Sequence, residues 1–238
     1  MNYSWNWAVL VQEPYLGWLI SGTCLTLAIS LAAWTLALVV GTVVGTVASL
    51  PNRVLKVVAA IYIALFRNVP LLLQLFLWFF VIPEVLPPAW GHWLKRDLPY
   101  PEFWTSIIAL GLFTSARVAV QVAAGIATVP AGPRTAAVAS GMTTAQIFRL
   151  VLLPQAFRIV LPPLTSDFLT VFKNSALALT IGVFELTAQS RQIESYTFQG
   201  FEAFTAATIV YLAIALLVTA LMRFLERWTA LPMTGAAV

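Results

Sequence analysis

Charge is scarce in this chain: Asp, Glu, Lys and Arg make up 9% of 238 residues, where a soluble domain carries about a quarter. That shortage excludes a water-covered globule. The basic groups, 13 Lys and Arg, are scattered rather than clustered, so the net charge of +4 does not indicate nucleic acid. The single cysteine, Cys24, lies in an apolar stretch with no disulfide partner in the chain and reads as a small apolar helix residue. The single histidine, His92, stands beside Trp93 and is expected to be a solvated loop residue. Without clustered His, Cys or acidic groups there is no metal-ligand set and no catalytic constellation. None of the three lysines, Lys56, Lys95 and Lys173, follows a Gly-x-x-x-x-Gly approach, so no nucleotide-binding loop and no cofactor bound by this chain are expected.

What the chain does have is apolar sequence, 61% of its residues, with a mean hydropathy of +0.90. From Pro14 to Asn52 no residue is charged. The first span, 17–50, would be about 50 Å of helix, longer than the ~30 Å hydrocarbon core, so it should tilt or protrude. It is too long, and lacks a basic leader, for a signal peptide, so it is expected to stay in the mature protein. Pro51-Asn52-Arg53 makes a turn, and 54–82 reads as the second span. Pro83 to Pro101, rich in Pro, Trp and charge, reads as an extramembrane loop with Trp90 and Trp93 at the interface. The third span, 103–129, is stopped by Pro130 and Gly132-Pro133. After a polar, small-residue segment, Arg134–Arg149, the fourth span covers 151–184, interrupted by Pro154, Pro162 and Pro163, and 203–224 closes the bundle. The expectation is one all-α integral membrane domain over 1–238 with five transmembrane helices.

Five spans put the termini on opposite sides. With the N-terminus outside, the inner segments hold Arg53, Lys56, Arg134, Arg149, Arg158, Arg223 and Arg227, and the outer ones only Lys95, Arg96 and Arg191. That asymmetry satisfies the positive-inside rule, so the expected topology is N-out, C-in.

The cytoplasmic segment reads Thr135-Ala136-Ala137, then Gly141, Val151 and Leu153-Pro154. This resembles the EAA loop of ATP-binding cassette (ABC) importer permeases, whose pattern is Glu-Ala-Ala, Gly and Ile-x-Leu-Pro at the same spacings. The likeness extends to Phe66-Arg67-Asn68-Val69-Pro70-Leu71-Leu72-Leu73-Gln74, to Leu110-Gly111-Leu112-Phe113-Thr114-Ser115-Ala116, and to Val171-Phe172-Lys173-Asn174-Ser175-Ala176. These are similar to motifs of the polar amino-acid permeases, over about residues 15–230. Trp5-Asn6-Trp7 and Ala116-Arg117-Val118 look closest to the glutamate/aspartate type. The resemblance implies a type I importer permease fold in the bacterial inner membrane, N-terminus periplasmic, with a coupling loop over about 132–150. It implies cytoplasmic ATPase subunits that hold ATP and Mg, a periplasmic amino-acid-binding protein, and a second permease, more in keeping with a related heterodimer partner than a homodimer. The coupling residues would be Thr135, Ala136, Ala137, Gly141, Arg149 and Pro154. Small residues let a short helix seat in a groove, Gly141 would break it, and Pro154 would stand in the first turn of the fourth span, where a missing N–H is tolerated. Thr135 departs from the family's Glu.

Arg67, Arg117, Asp167 and Lys173 fall within spans, where each ionised group costs about 2.5–3.5 kcal/mol and needs a partner or water. Asp167 and Lys173 sit about 240° apart around one helix, which disfavours their pairing. The resemblance places Arg67, Gln74, Lys173 and Asn174 beside Arg117 and Asp167 along a substrate pathway. Related permeases often show Tyr, Glu and Arg at three-residue intervals where this chain has Arg117, Val120 and Ala123. A guanidinium gained and an acid lost suit a carboxylate-bearing substrate, hence glutamate or aspartate import. The alternatives are contact of Arg117 with Asp167 or Glu185 as a structural pair, a permease for another polar amino acid, or an ion-coupled secondary transporter, whose inverted repeats are not visible.

Overall fold

The computed structural model describes residues 3–229, with side chains through residue 224. The expected cytoplasmic C-terminal end, 230–238, and the side chain of Arg227 lie outside the described residues. After a short 3₁₀ turn at Trp7–Val11, the chain forms α1 (Tyr15–Ser49), α2 (Arg53–Asn68), α3 (Leu71–Val85), α4 (Pro88–His92), α5 (Pro101–Thr128), α6 (Ala131–Ala139), α7 (Thr144–Ile181), α8 (Leu186–Thr197) and α9 (Gly200–Thr229). No strand occurs among the described residues. Four helices, α1, α5, α7 and α9, are long and apolar enough to cross a membrane, and α2 with α3 makes a fifth crossing if the bent pair counts as one.

α5 is the hub. One of its faces packs along α1, where Ala33, Ala37, Gly41 and Gly45 recur every four residues and are buried. That spacing lines up one stripe of small residues on a helix. A Cβ on Gly41 would come within 2.6 Å of the Val118 side chain and 2.8 Å of the Ser115 carbonyl, and one on Gly45 within 2.6 Å of the Ala119 carbonyl. The two backbones touch because these side chains are missing. A second face of α5 packs on α7, and Ala37, Val118, Val122, Phe148, Leu152, Ala156, Val160 and Leu164 join the three helices in one core cluster.

The expected single span 54–82 is two helices that meet at 101°. Val69 turns extended before Pro70, as residues preceding proline do. Pro70 has no N–H to give the Phe66 carbonyl four residues back. Gln74 supplies the missing donor: its Nε2 donates to Phe66 O and to Val69 O, each at 2.9 Å. Gln74 is thereby a staple across the break.

Proline explains two other departures. The segment 83–101, expected as a loop, is largely helical, and α3 opens into a π turn at Leu77–Val81 just before Pro83. α7 likewise opens at Ile147–Leu152 just before Pro154. A wider turn relieves the clash between a proline ring and the carbonyl four residues earlier. The fourth span therefore starts at Thr144 rather than 151, with a Thr143–Gln146 capping box, and Pro154 stands inside it rather than in its first turn. Pro162 and Pro163 also lie within α7, on an exposed face shared with Arg158 and Ile159, and the helix continues to Ile181. It ends at Gly182, whose φ is +93°.

α8 is unforeseen in the hydropathy. Its N-cap is the fully buried Glu185, which accepts from Thr187 N at 3.0 Å and Ala188 N at 2.9 Å. Tyr211 of α9 donates its hydroxyl to the same carboxylate at 2.8 Å, and Leu186 N donates to Thr26 Oγ1 of α1 at 3.1 Å. Glu185 thus ties α1, α8 and α9 together.

Candidate functional site

Midway along α5, Arg117 extends its guanidinium toward α7. Its Nε donates to Asp167 Oδ1 at 2.8 Å, and the two side chains are 42% and 1% exposed. One turn further along α5, Gln121 Nε2 donates to Asp167 Oδ2 at 2.6 Å. Both oxygens of a buried carboxylate are therefore satisfied from one helix face, as the i, i+4 spacing of 117 and 121 permits. The Arg117–Asp167 pair crosses between helices, and Lys173 does not take part in it.

The exposed part of Arg117 opens into a cavity of about 370 Å³ lined by Arg67, Phe113, Arg117, Val120 and Gln121. Arg67 comes from the last turn of α2, where a cation complements the negative end of the helix dipole. It makes no ion pair among the described residues. The cavity therefore holds two guanidiniums, one balanced by Asp167 and one not. Arg117 meets Asp167 through Nε, and the rest of its fork of donors is not engaged by that contact. Gln121 also lines the cavity, but its Oε1 is turned into the protein, buried with no hydrogen-bond donor.

Of the residues assigned to the substrate pathway, the structure brings Arg67 and Arg117 to this cavity and sets Asp167 behind Arg117. Lys173, exposed, and Asn174, half-buried, lie at the far end of α7 and do not line it. Gln74 is occupied with the α2–α3 break. Gln121 was not singled out in the sequence, although its place four residues after an intramembrane arginine was a usable signal.

A second candidate region is the α6 hairpin. Ala137 is the one residue of α6 that is buried, anchored in the α5–α7 core, whereas Thr135 and Ala136 are exposed. α6 ends in a Schellman arrangement: Met142 N donates to Ala137 O at 3.1 Å and Gly141 N to Val138 O at 3.0 Å, with Gly141 at φ +76°. The turn needs a left-handed residue, which is why glycine stands there. The Thr135 hydroxyl, in the place of the family's Glu, donates to Ala131 O of its own helix at 3.0 Å. Arg149 and Pro154 are exposed further along the hairpin.

A family model described as "binding-protein-dependent transport system inner membrane component" matches residues 37–231. The chain belongs to that family. It is a transporter permease, a membrane-spanning component whose ATPase is a separate subunit, and membership implies ATPase and binding-protein partners. It is 42% identical over 240 residues, covering 98% of each chain, to the glutamate/aspartate import permease protein GltJ of Escherichia coli strain K12. It is 28% identical to the glutamine transport system permease protein GlnP of the same strain, over 95% of this chain and 98% of that one. Among solved structures, an amino acid ABC transporter with histidines superimposes with a TM-score of 0.77 at 30% identity, covering 94% of this chain and 99% of the other. The chain is thus an amino-acid ABC importer permease.

Proposed function

We propose that this permease carries acidic amino acids, glutamate and aspartate, inward across the bacterial inner membrane. The observation that supports this most directly is the cavity that joins Arg67 and Arg117 with only one compensating carboxylate. An anionic side chain is a fitting guest for an unbalanced guanidinium, and bidentate Arg–carboxylate contacts are among the stronger polar interactions. The likeness to a glutamate/aspartate permease along 98% of both chains supports the same choice. Asp167 is a positioning residue in this reading, since it orients Arg117 and leaves its outer donors free.

The orientation follows from charge. By chain connectivity Glu13, Glu84, Asp97, Glu102, Glu185, Glu194 and Glu202 stand at one end of the bundle with Lys95, Arg96 and Arg191, and Arg53, Lys56, Arg134 and Arg149 stand at the other. The basic end is cytoplasmic by the positive-inside rule, which sets the N-terminus in the periplasm and gives five crossings with α2–α3 as one. The exposed α6 face, with Thr135 and Ala136 outward and Gly141 at its turn, docks on the ATPase, which binds ATP and Mg. Closure of the ATPase moves α6, and Ala137 passes that motion to α5 and α7, the two helices that hold Arg117 and Asp167. A related second permease covers the exposed side of Arg117, completing the path as a heterodimer, and a periplasmic binding protein delivers the substrate.

Uptake of radiolabelled glutamate and of glutamine by the assembled transporter in vesicles tests the assignment. Arg117→Ala and Arg67→Ala should each lower glutamate uptake by about tenfold or more while ATPase association persists. Equal loss for both substrates would remove the selectivity role, and unchanged glutamate uptake would remove the site.

A further inference from the structure

Where α8 passes the chain to α9, at the acidic end of the bundle, an open cavity of about 430 Å³ is lined by Tyr3, Phe198, Phe201 and Phe204 together with Glu194. Its rings stand on the surface, Phe198 at 85% exposure and Phe201 at 62%. Phe198 ends α8 with φ +58°, in the left-handed region that strains a bulky side chain and suits glycine. The helix end by itself therefore gives no reason for phenylalanine. Tyr3 is fastened beside it: its hydroxyl donates to Glu202 of α9, Asn6 N donates to Glu202 Oε1 at 2.8 Å, and its ring meets Phe201 edge-on at 4.9 Å. Glu194 brings a carboxylate, and no cation lines the cavity among the described residues. It makes no ion pair there, not even with Arg191 one turn earlier on α8. From the cavity the uncovered side of α9 continues through Thr208, Leu212 and Leu216, at four-residue steps along a membrane-crossing helix.

A carboxylate among aromatic faces suits a cation, and an exposed stripe that leaves the cavity along the span suits an acyl chain. Together they fit an amphiphile whose head carries an ammonium. An anionic lipid would bring like charge to Glu194, and a soluble ammonium compound would leave the stripe uncovered. We propose that this cavity binds a zwitterionic phospholipid whose headgroup ends in an ammonium, held by Glu194 and the rings of Phe198 and Phe201, with an acyl chain along Phe204, Thr208 and Leu212. The site does not depend on the substrate reading and shares with it only the placement of this end in the periplasmic leaflet. One such lipid touches the N-terminal segment, α8 and α9 together, and so fastens the outer rim of the bundle to the membrane.

The test is lipid retention by the full chain, purified with the subunits it is expressed with and studied by native mass spectrometry. The probes are dioleoyl phosphatidylethanolamine and dioleoyl phosphatidylglycerol offered together. The expected result is selective retention of phosphatidylethanolamine, with the preference falling about fivefold in E194Q, the order of one partly exposed charge contact. E13Q, which removes an outer carboxylate that does not line the cavity, should leave the preference unchanged. F198G separates the site from the fold. It relieves the left-handed strain, so the melting temperature should not fall, while retention should drop about threefold through the lost ring. Equal retention of both lipids by the wild type, or wild-type preference in both E194Q and F198G, would overturn the site. An E13Q loss as large as that of E194Q would show a diffuse effect of surface charge, with the same consequence. Displacement of the lipid by glycerophosphoethanolamine, which has the head without the chains, would assign the cavity to a soluble ammonium and overturn the lipid. So would unchanged lipid retention in E194Q with reduced binding-protein-dependent uptake, which would assign Glu194 to a protein contact. Should F198G melt lower than the wild type, the comparison of E194Q with E13Q decides.

Discussion

The two long faces of α5 solve the same packing problem in opposite ways. Toward α1 it meets a stripe with almost no side chains, and Gly41 and Gly45 bring carbonyls of the partner helix within reach of a single added carbon. Toward α7, in addition to apolar packing, it projects Arg117 and Gln121 onto the buried Asp167. The first face is steric and dry, and its strength comes from close approach that lipid cannot reproduce. The second spends a buried charge, which rarely adds net stability over a well-packed apolar replacement. A permease that needed only a rigid bundle would have no use for the second seam. Its place at mid-span, opening into a cavity with Arg67, is what supports the substrate contact proposed above.

That contrast can be broken most sharply at the steric seam. Gly41→Leu should cost about 3 kcal/mol or more, because overpacking here meets the Ser115 backbone carbonyl as well as the movable Val118 side chain. The expected outcome is little or no monodisperse protein after detergent extraction. A variant with wild-type yield and melting would mean the seam is looser than described.

The charged seam should respond by a smaller amount and in a different pattern. Arg117→Ala leaves Asp167 with Gln121 as its one remaining side-chain donor among those described here, and should cost about 2–3 kcal/mol, below the usual penalty for a broken buried pair because Arg117 is itself 42% exposed. The double variant Arg117→Gln/Asp167→Asn removes both charges. It should recover most of the lost thermal stability and none of the glutamate uptake. Recovery of uptake together with stability would make the pair purely structural.

Outside both seams the effects should be smaller still for the bundle. Gly141→Leu must hold φ near +76°, which costs about 1–2 kcal/mol locally. It should leave insertion and melting nearly unchanged while reducing recovery of the ATPase in pull-downs. Normal recovery and normal ATPase stimulation would refute docking at this hairpin. Thr135→Ala should be the mildest change, within about 0.5 kcal/mol and about twofold in ATPase association, because the hydroxyl already bonds its own helix. A large loss of association would show that Thr135 faces the ATPase directly.

Much of the bundle is legible in the sequence because a bilayer imposes simple arithmetic. Predominantly apolar runs of about 20 residues must be helices, and α1, α5 and α9 lie close to where those runs stand. The helix end at Gly141 was also readable, since glycine is the residue a left-handed helix end demands. Local proline signals were misleading in both directions. Val69-Pro70 breaks a span that hydropathy alone makes continuous, and Pro154, Pro162 and Pro163 do not break the helix that contains them. The difference lies in what satisfies the orphaned backbone: Gln74 at a true break, and a widened π turn ahead of Pro154.

The choice of partner for Asp167 belongs to the tertiary structure. Sequence spacing disfavoured Lys173 on the same helix and left Asp167 and Glu185 both open as structural partners of Arg117. Glu185 caps α8 and bonds Tyr211, so it is committed elsewhere, and α7 sets Asp167 against Arg117 and Gln121. By itself the sequence determined that this chain spans the membrane, which end is basic and which family it joins, because those depend on composition, run length and motif. Only the packed helices decided which cation keeps an unbalanced charge, because that depends on which faces of α2, α5 and α7 meet.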